Sequence, residues 1–162
     1  AGVPGGAEAT AGSAGLWAGR IAGHGCGRTA RRHRGCPGLS PVQKIRVLTQ
    51  PISKAELALY LGSPFEDMVK FVADLDMRVI ALGGELHADA ESVLLDQDSD
   101  QASLWGGNYF PGVGEEECIE YTSMINVRPS QGNTSMELQS PELRARMRAL
   151  VFELIGRGEP LG

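Results

Sequence analysis

"MVKFVADLDMRVIALGG" (Met68–Gly84) is the stretch on which the fold turns. It is rich in Val, Phe, Ile and Met, with a turn placed at Leu75–Asp76. Such a pattern reads as two strands, about 68–74 and 77–82, joined by a tight turn. Strands linked that closely run antiparallel, because a parallel pair needs a long crossover.

Upstream, "QKIRVLTQ" (43–50) sets Ile45, Val47 and Thr49 against Lys44, Arg46 and Leu48, and is predicted as a strand. "SKAELALYLG" (53–62) follows as a helix, with Ser53 as N-cap, Glu56 completing a capping box and Gly62 closing it. Downstream, "LWGGNYFPG" (104–112) reads as a strand entering a Pro/Gly loop, and "ECIEYTSMINVRP" (117–129) as a longer strand stopped by Pro129. In the last helix Ser140 caps and Pro141 takes the first turn. Leu143, Met147, Leu150, Val151 and Leu154 share one face, Arg144 and Arg148 point outward, and Gly156 ends it. The order β-α-β-β-(α)-β-β-α predicts an α+β fold, a mainly antiparallel sheet packed by a C-terminal helix, in one domain spanning 42–157. No dinucleotide or phosphate-loop signature and no internal repeat is present.

Residues 1–41 differ in kind. Half of the 22 glycines lie in the first 40 positions, mixed with Ala, Arg and Pro and without hydrophobic periodicity, so this stretch reads as a disordered tail. It carries five arginines against Glu8 alone, net +4, which leaves −9 of the overall −5 on the remainder. An acidic domain argues against nucleic acid as a partner. His24, Cys26, His33 and Cys36 fall in the tail, but their H-x-C and H-x₂-C spacing in Arg/Gly-rich sequence is not that of a structural zinc site. Three irregular cysteines, no apolar run near 18 residues and no signal-peptide pattern point to a reducing, cytoplasmic setting without a membrane partner.

Polar residues concentrate in three places. In "GGELHADAESVLL" (83–95), Glu85, His87, Asp89 and Glu91 would share one face of a strand. As a helix, Leu86, Ala90, Val93 and Leu94 make an apolar stripe, which fits the spacing better. His87 and Glu91 share a face in either geometry. A histidine beside a carboxylate is an oriented base or a metal ligand, and a divalent metal at His87/Glu91 is compatible with the chemistry. Acidic residues in a first turn and a His–Glu pair four apart are also ordinary surface features, and that bland reading weighs more. In "SMINVRPSQGN" (123–133), Asn126 and Arg128 stand on one strand face with the Ser130–Asn133 turn after them, a set able to orient an anionic or polar ligand. Arg128 paired to a nearby acid is an equal alternative. Trp105 precedes Gly106-Gly107-Asn108, where adjacent glycines permit close backbone approach, and is either a pocket wall or core. Cys118, among acids, should have a raised pKa and is no nucleophile candidate.

The three stretches, in order, resemble a family of small uncharacterised bacterial proteins, a domain of unknown function with G-G-E-x-H-x-D-x-E, L-W-G-x-N and M-I-N-x-R-P-x-x-G-N motifs. The resemblance spans about 45–155 and implies importance for Glu85, His87, Asp89, Glu91, Trp105, Asn108, Asn126, Arg128, Gly132 and Asn133. "DQDSD" (96–100) and "TSMEL" (134–138) depart from its pattern. The resemblance implies a shared domain without naming a reaction. Two functions follow. One is a binding or regulatory module with a polar site, which is favoured because no nucleophile or full ligand set is legible. The other is a small hydrolase-like or metal-assisted enzyme using His87 and Glu91, aided by Glu85 or Asp89, with Arg128, Asn126 and Asn133 orienting substrate and Trp105 and Asn108 beside it. A homo-oligomer is compatible with either.

Overall fold

A computed structural model describes residues 44–62 and 64–162. The tail and its His/Cys residues lie outside the described residues. Eight elements follow in chain order: β1 (Arg46–Leu48), α1 (Lys54–Ala58), β2 (Val69–Asp74), β3 (Val79–Leu82), α2 (His87–Leu95), β4 (Leu104–Tyr109), β5 (Ile119–Glu120) and α3 (Pro141–Leu154). The strands form one five-stranded antiparallel sheet in the order β1-β3-β2-β4-β5. The fold is α+β, as the order of elements predicted.

Met68–Gly84 supplies the centre. Phe71 sits opposite both Leu82 and Gly107, and Ala73 opposite both Ile80 and Trp105. Period-two alternation sends Phe71, Ala73, Ile80, Leu82, Trp105 and Tyr109 to one face, where Met147, Leu150, Val151 and Leu154 of α3 cover them. Val72, Ala81 and Leu104 face the other way, against Ala90 and Leu94 of α2. Helices therefore cover both faces of the central strands, where the sequence had predicted only the C-terminal one. That double burial explains why β2 reads as a nearly continuous apolar run.

The β2–β3 link is a longer turn than the predicted break, covering Leu75–Arg78. Asp74 Oδ1 accepts from the Asp76 and Met77 amides and from Ser103 Oγ, each at 2.9 Å. Burial would raise the Asp74 pKa, but these hydrogen bonds outweigh it and hold the carboxyl below its usual value. Arg78 closes the turn at φ 57°. At α1 the Ser53–Glu56 capping box forms in full. The Arg46 guanidinium and Ser53 draw the Glu56 pKa down to about 2.

The largest departure is the segment 117–129. It pairs as a strand only at Ile119–Glu120, then makes an isolated bridge from Thr122 to Glu137. Ser123 turns it, its hydroxyl accepting from the Ile125 amide at 3.4 Å, into a 3-10 turn over Met124–Asn126 and a second over Pro129–Gln131. Alternation therefore fails beyond Tyr121, and Asn126, predicted to share a strand face with Arg128, is fully buried. On α3, Ser140 caps Leu143 as predicted. Arg144 turns back onto the domain, with its guanidinium 5.2 Å from the Tyr121 ring and 2.6 Å from Glu137.

Candidate functional site

Glycines 106 and 107 of β4 set the geometry. A Cβ on Gly106 would lie 2.6 Å from Ser123 Oγ, and one on Gly107 would lie 2.8 Å from Phe71 Cζ. Bare backbone lets the 123–126 segment close over β4 on the α2 side, while the Phe71 ring fills the α3 side.

Asn126 exploits the first gap. Its Oδ1 accepts from the Gly106 amide at 2.9 Å, and its Nδ2 donates to the Gly106 carbonyl at 3.0 Å and to Met136 O at 3.1 Å. Asn133 has the same kind of role seven residues later. Its Nδ2 donates to the carbonyls of Asn126, Ser135 and Glu137, and its Oδ1 accepts from the Gln139 amide. Both side chains are buried and spend their amides on backbone groups that no strand reaches.

The stretch 83–95 becomes a helix from His87, with no side-chain cap, because Leu86 occupies the N-cap position. Leu86, predicted on the apolar stripe, is 60% exposed, and His87 takes the inward position with Ala90 and Leu94. His87 Nε2 lies 2.9 Å from the Gly107 carbonyl. A carbonyl only accepts, so Nε2 carries the proton of the neutral ring. Burial pushes the His87 pKa down and Lys70 adds to this. The bond to Gly107, the Asn108 side chain and Glu120 oppose it, and the net shift is downward.

Glu91 lies one turn along and finds a different partner. Its Oε1 is 3.1 Å from Arg128 Nη2, with both side chains only 12% exposed, and it also accepts from Gln101 Nε2 at 3.3 Å. Arg128 Nε donates to Ile125 O at 2.9 Å, and Nη1 donates to Gln101 O. The guanidinium centre is 5.0 Å from the Trp105 ring. Burial lowers the Arg128 pKa and Glu91 opposes that shift, but guanidinium remains charged at any working pH. Trp105 is core, 3% exposed, and backs the arginine.

Asn108 stands in a cross-strand row between Lys70 and Glu120. Its Nδ2 donates to Glu120 at 2.6 Å, while its buried Oδ1 has no partner among the described residues. Glu85 and Asp89 point to solvent and join none of this. Cys118 is buried, and burial raises its pKa.

The structure thus brings Glu91, Arg128 and Trp105 together and ties His87 and Asn126 to adjacent glycines of β4, but His87 and Glu91 contact different elements. Arg128 and Glu91 line a groove of about 480 Å³ with Gln101, Met124, Val127 and Gln131, and His87 is not on its wall. Gln101, Met124 and Val127 had no signal in the sequence that marked them as lining. Among the described residues no group of three or more His, Cys, Asp or Glu side chains could hold a metal ion, and no helix is long and apolar enough to cross a membrane.

No curated protein and no solved structure matches the chain. A family model described as a protein of unknown function, DUF5674, matches residues 46–154, a span that takes in the sheet, α2, the 123–133 segment and α3, so the chain belongs to that family.

Proposed function

We propose that this domain is a binding or regulatory module, and that the groove between α2 and the 124–131 segment is its recognition surface. One observation carries the reading: every charged or acid–base group at the site is already held by an intramolecular partner. His87 is spent on Gly107 O, Glu91 on Arg128, and Arg128 on Glu91 and two carbonyls. A catalytic base or nucleophile has to reach the substrate, and a group locked to its own backbone does not. The groove lies in the size range of ligand sites and combines polar walls with exposed Met124 and Val127. The enzyme alternative needs His87, Glu91 and Arg128 on one wall, and only two of them are there.

The test is a fragment screen on the full chain, read by backbone-amide NMR. Hits are expected to move Gln101, Met124, Val127 and Gln131, and to be retained in a His87→Gln variant. Hits that cluster at His87 and Asn108, and vanish with that variant, would overturn the reading.

A further inference from the structure

The two edges of the sheet are finished differently. Beyond β5 the chain closes its own edge, with the Leu138 amide donating to Tyr121 O at 2.9 Å and the Ser123 amide to Met136 O at 3.0 Å. β1 is the opposite edge strand, and among the described residues it pairs with β3 alone. Which of its groups turn outward follows from the alternation of an antiparallel ladder. Gly106 bonds Asn126 through both its N–H and its carbonyl, so these two groups point away from β2. Gly106 stands opposite Val72, Val72 opposite Ala81, and Ala81 opposite Val47. Val72 therefore turns its groups toward β3, as Lys70 does in accepting from the Gly83 amide at 2.8 Å. Ala81 turns back toward β2, which leaves the N–H and carbonyl of Val47 facing outward. No described residue bonds either group.

The side chains around Val47 suit a second copy of themselves. Ile45 and Val47 lie on the α2 face and are only half-buried, and Ile45 packs on Gly84, two residues before the 60% exposed Leu86. Arg46 points to the other face. A charge there ordinarily guards a strand edge, but Glu56 already takes up this one at 2.8 Å. Alternation lets a two-fold axis fall at Ile45, Val47 or Thr49. At Ile45 it would set Lys44 opposite the copy's Arg46, and at Thr49 it would set Pro51, which has no N–H, opposite the copy's Val47. At Val47 it sets Val47 on Val47, Ile45 on Thr49 and Arg46 on Leu48, with no like charges directly opposed.

We infer that β1 pairs antiparallel with β1 of a second copy about a two-fold axis at Val47, joining two five-stranded sheets into one continuous sheet. Each Val47 donates its N–H to the other's carbonyl, and Ile45 and Thr49 flank the axis. The axis uses up the open edge of both copies, so assembly stops at two. The contact uses none of the residues that line the groove.

Sedimentation of the full chain over a concentration series reads the assembly, and amide hydrogen exchange reads the edge. The natural chain should form dimers, and protection of the Val47 amide should rise with protein concentration. V47K and V47E should each weaken the dimer at least about tenfold, because the axis then opposes like charges. An equimolar mixture of the two variants should recover it, since Lys then meets Glu. Their melting temperatures should stay near that of the natural chain; if either variant unfolds, the exchange series on the natural chain decides alone. A chain that stays monomeric at the highest attainable concentration overturns the inference. So does a dimer that both variants leave intact, or a mixture of folded variants that recovers none. Val47 protection that is independent of concentration overturns it in favour of an edge covered by residues 1–43 of the same chain.

Discussion

The Asn126 side chain bonds Gly106 as a neighbouring strand would, one amide oxygen accepting from its N–H and one amide nitrogen donating to its carbonyl. The β4–β5 ladder covers only Asn108 and Tyr109, and this amide continues it inward. Asn126→Ala leaves both Gly106 groups buried without partners, so unfolding stability should fall by about 3–5 kcal/mol. Urea denaturation checks this through a lower midpoint at unchanged slope. Asn126→Asp should be no better, since its carboxylate would face carbonyl oxygens.

Gly106→Ala should cost about 1–3 kcal/mol, because its Cβ would meet Ser123 Oγ at 2.6 Å and Ser123 Cβ at 2.7 Å. Ser123→Gly in the same background should recover part of the loss. A thermal-unfolding cycle over the four proteins measures that coupling.

The Glu91–Arg128 pair is shielded on both sides, so removing one partner leaves a poorly solvated charge. Glu91→Gln and Arg128→Met should each cost about 2 kcal/mol, and the double variant less than the sum. Because the pair is largely removed from solvent, its coupling energy should persist in high salt, unlike that of Arg46 and Glu56 at the surface.

His87 carries a pH signature. Its folded pKa lies below that of a free imidazole, about 6.5, so the unfolded chain takes the proton first. The stability it contributes is whole above that pH and falls as acid approaches the folded pKa, with a slope of at most about 1.4 kcal/mol per pH unit. Subtracting the denaturation profile of His87→Gln from that of the natural chain should isolate this slope between pH 7 and 5. A flat difference would place the ring in a less buried setting.

The hairpin, the first helix and the terminal helix were legible because each depends on local signals: two apolar runs joined by a turn, a capping box, and Ser-Pro at a helix start. The segment 117–129 was misread because its alternation is real in composition but not in conformation. No periodicity can reveal that an asparagine will do the work of a strand. The α2 stripe shifted for a related reason. Counting apolar residues put Leu86 inside, whereas the inward slot went to His87, whose partner carbonyl lies twenty residues away on β4. Asn126 and Asn133 were singled out in the sequence without any sign that both serve the backbone. Gln101 and Met124 went unseen because a groove lining is a property of tertiary shape.

The amide that seals Gly106 also bears on how copies of this chain meet. A strand edge with free N–H and carbonyl groups is a template for a foreign strand, and proteins that leave one open risk stacking edge to edge. At Gly106, β4 offers no such template, because a side chain of the same chain already occupies it. Losing Asn126 would therefore do more than loosen a fold. It would unmask a site where aggregation could begin.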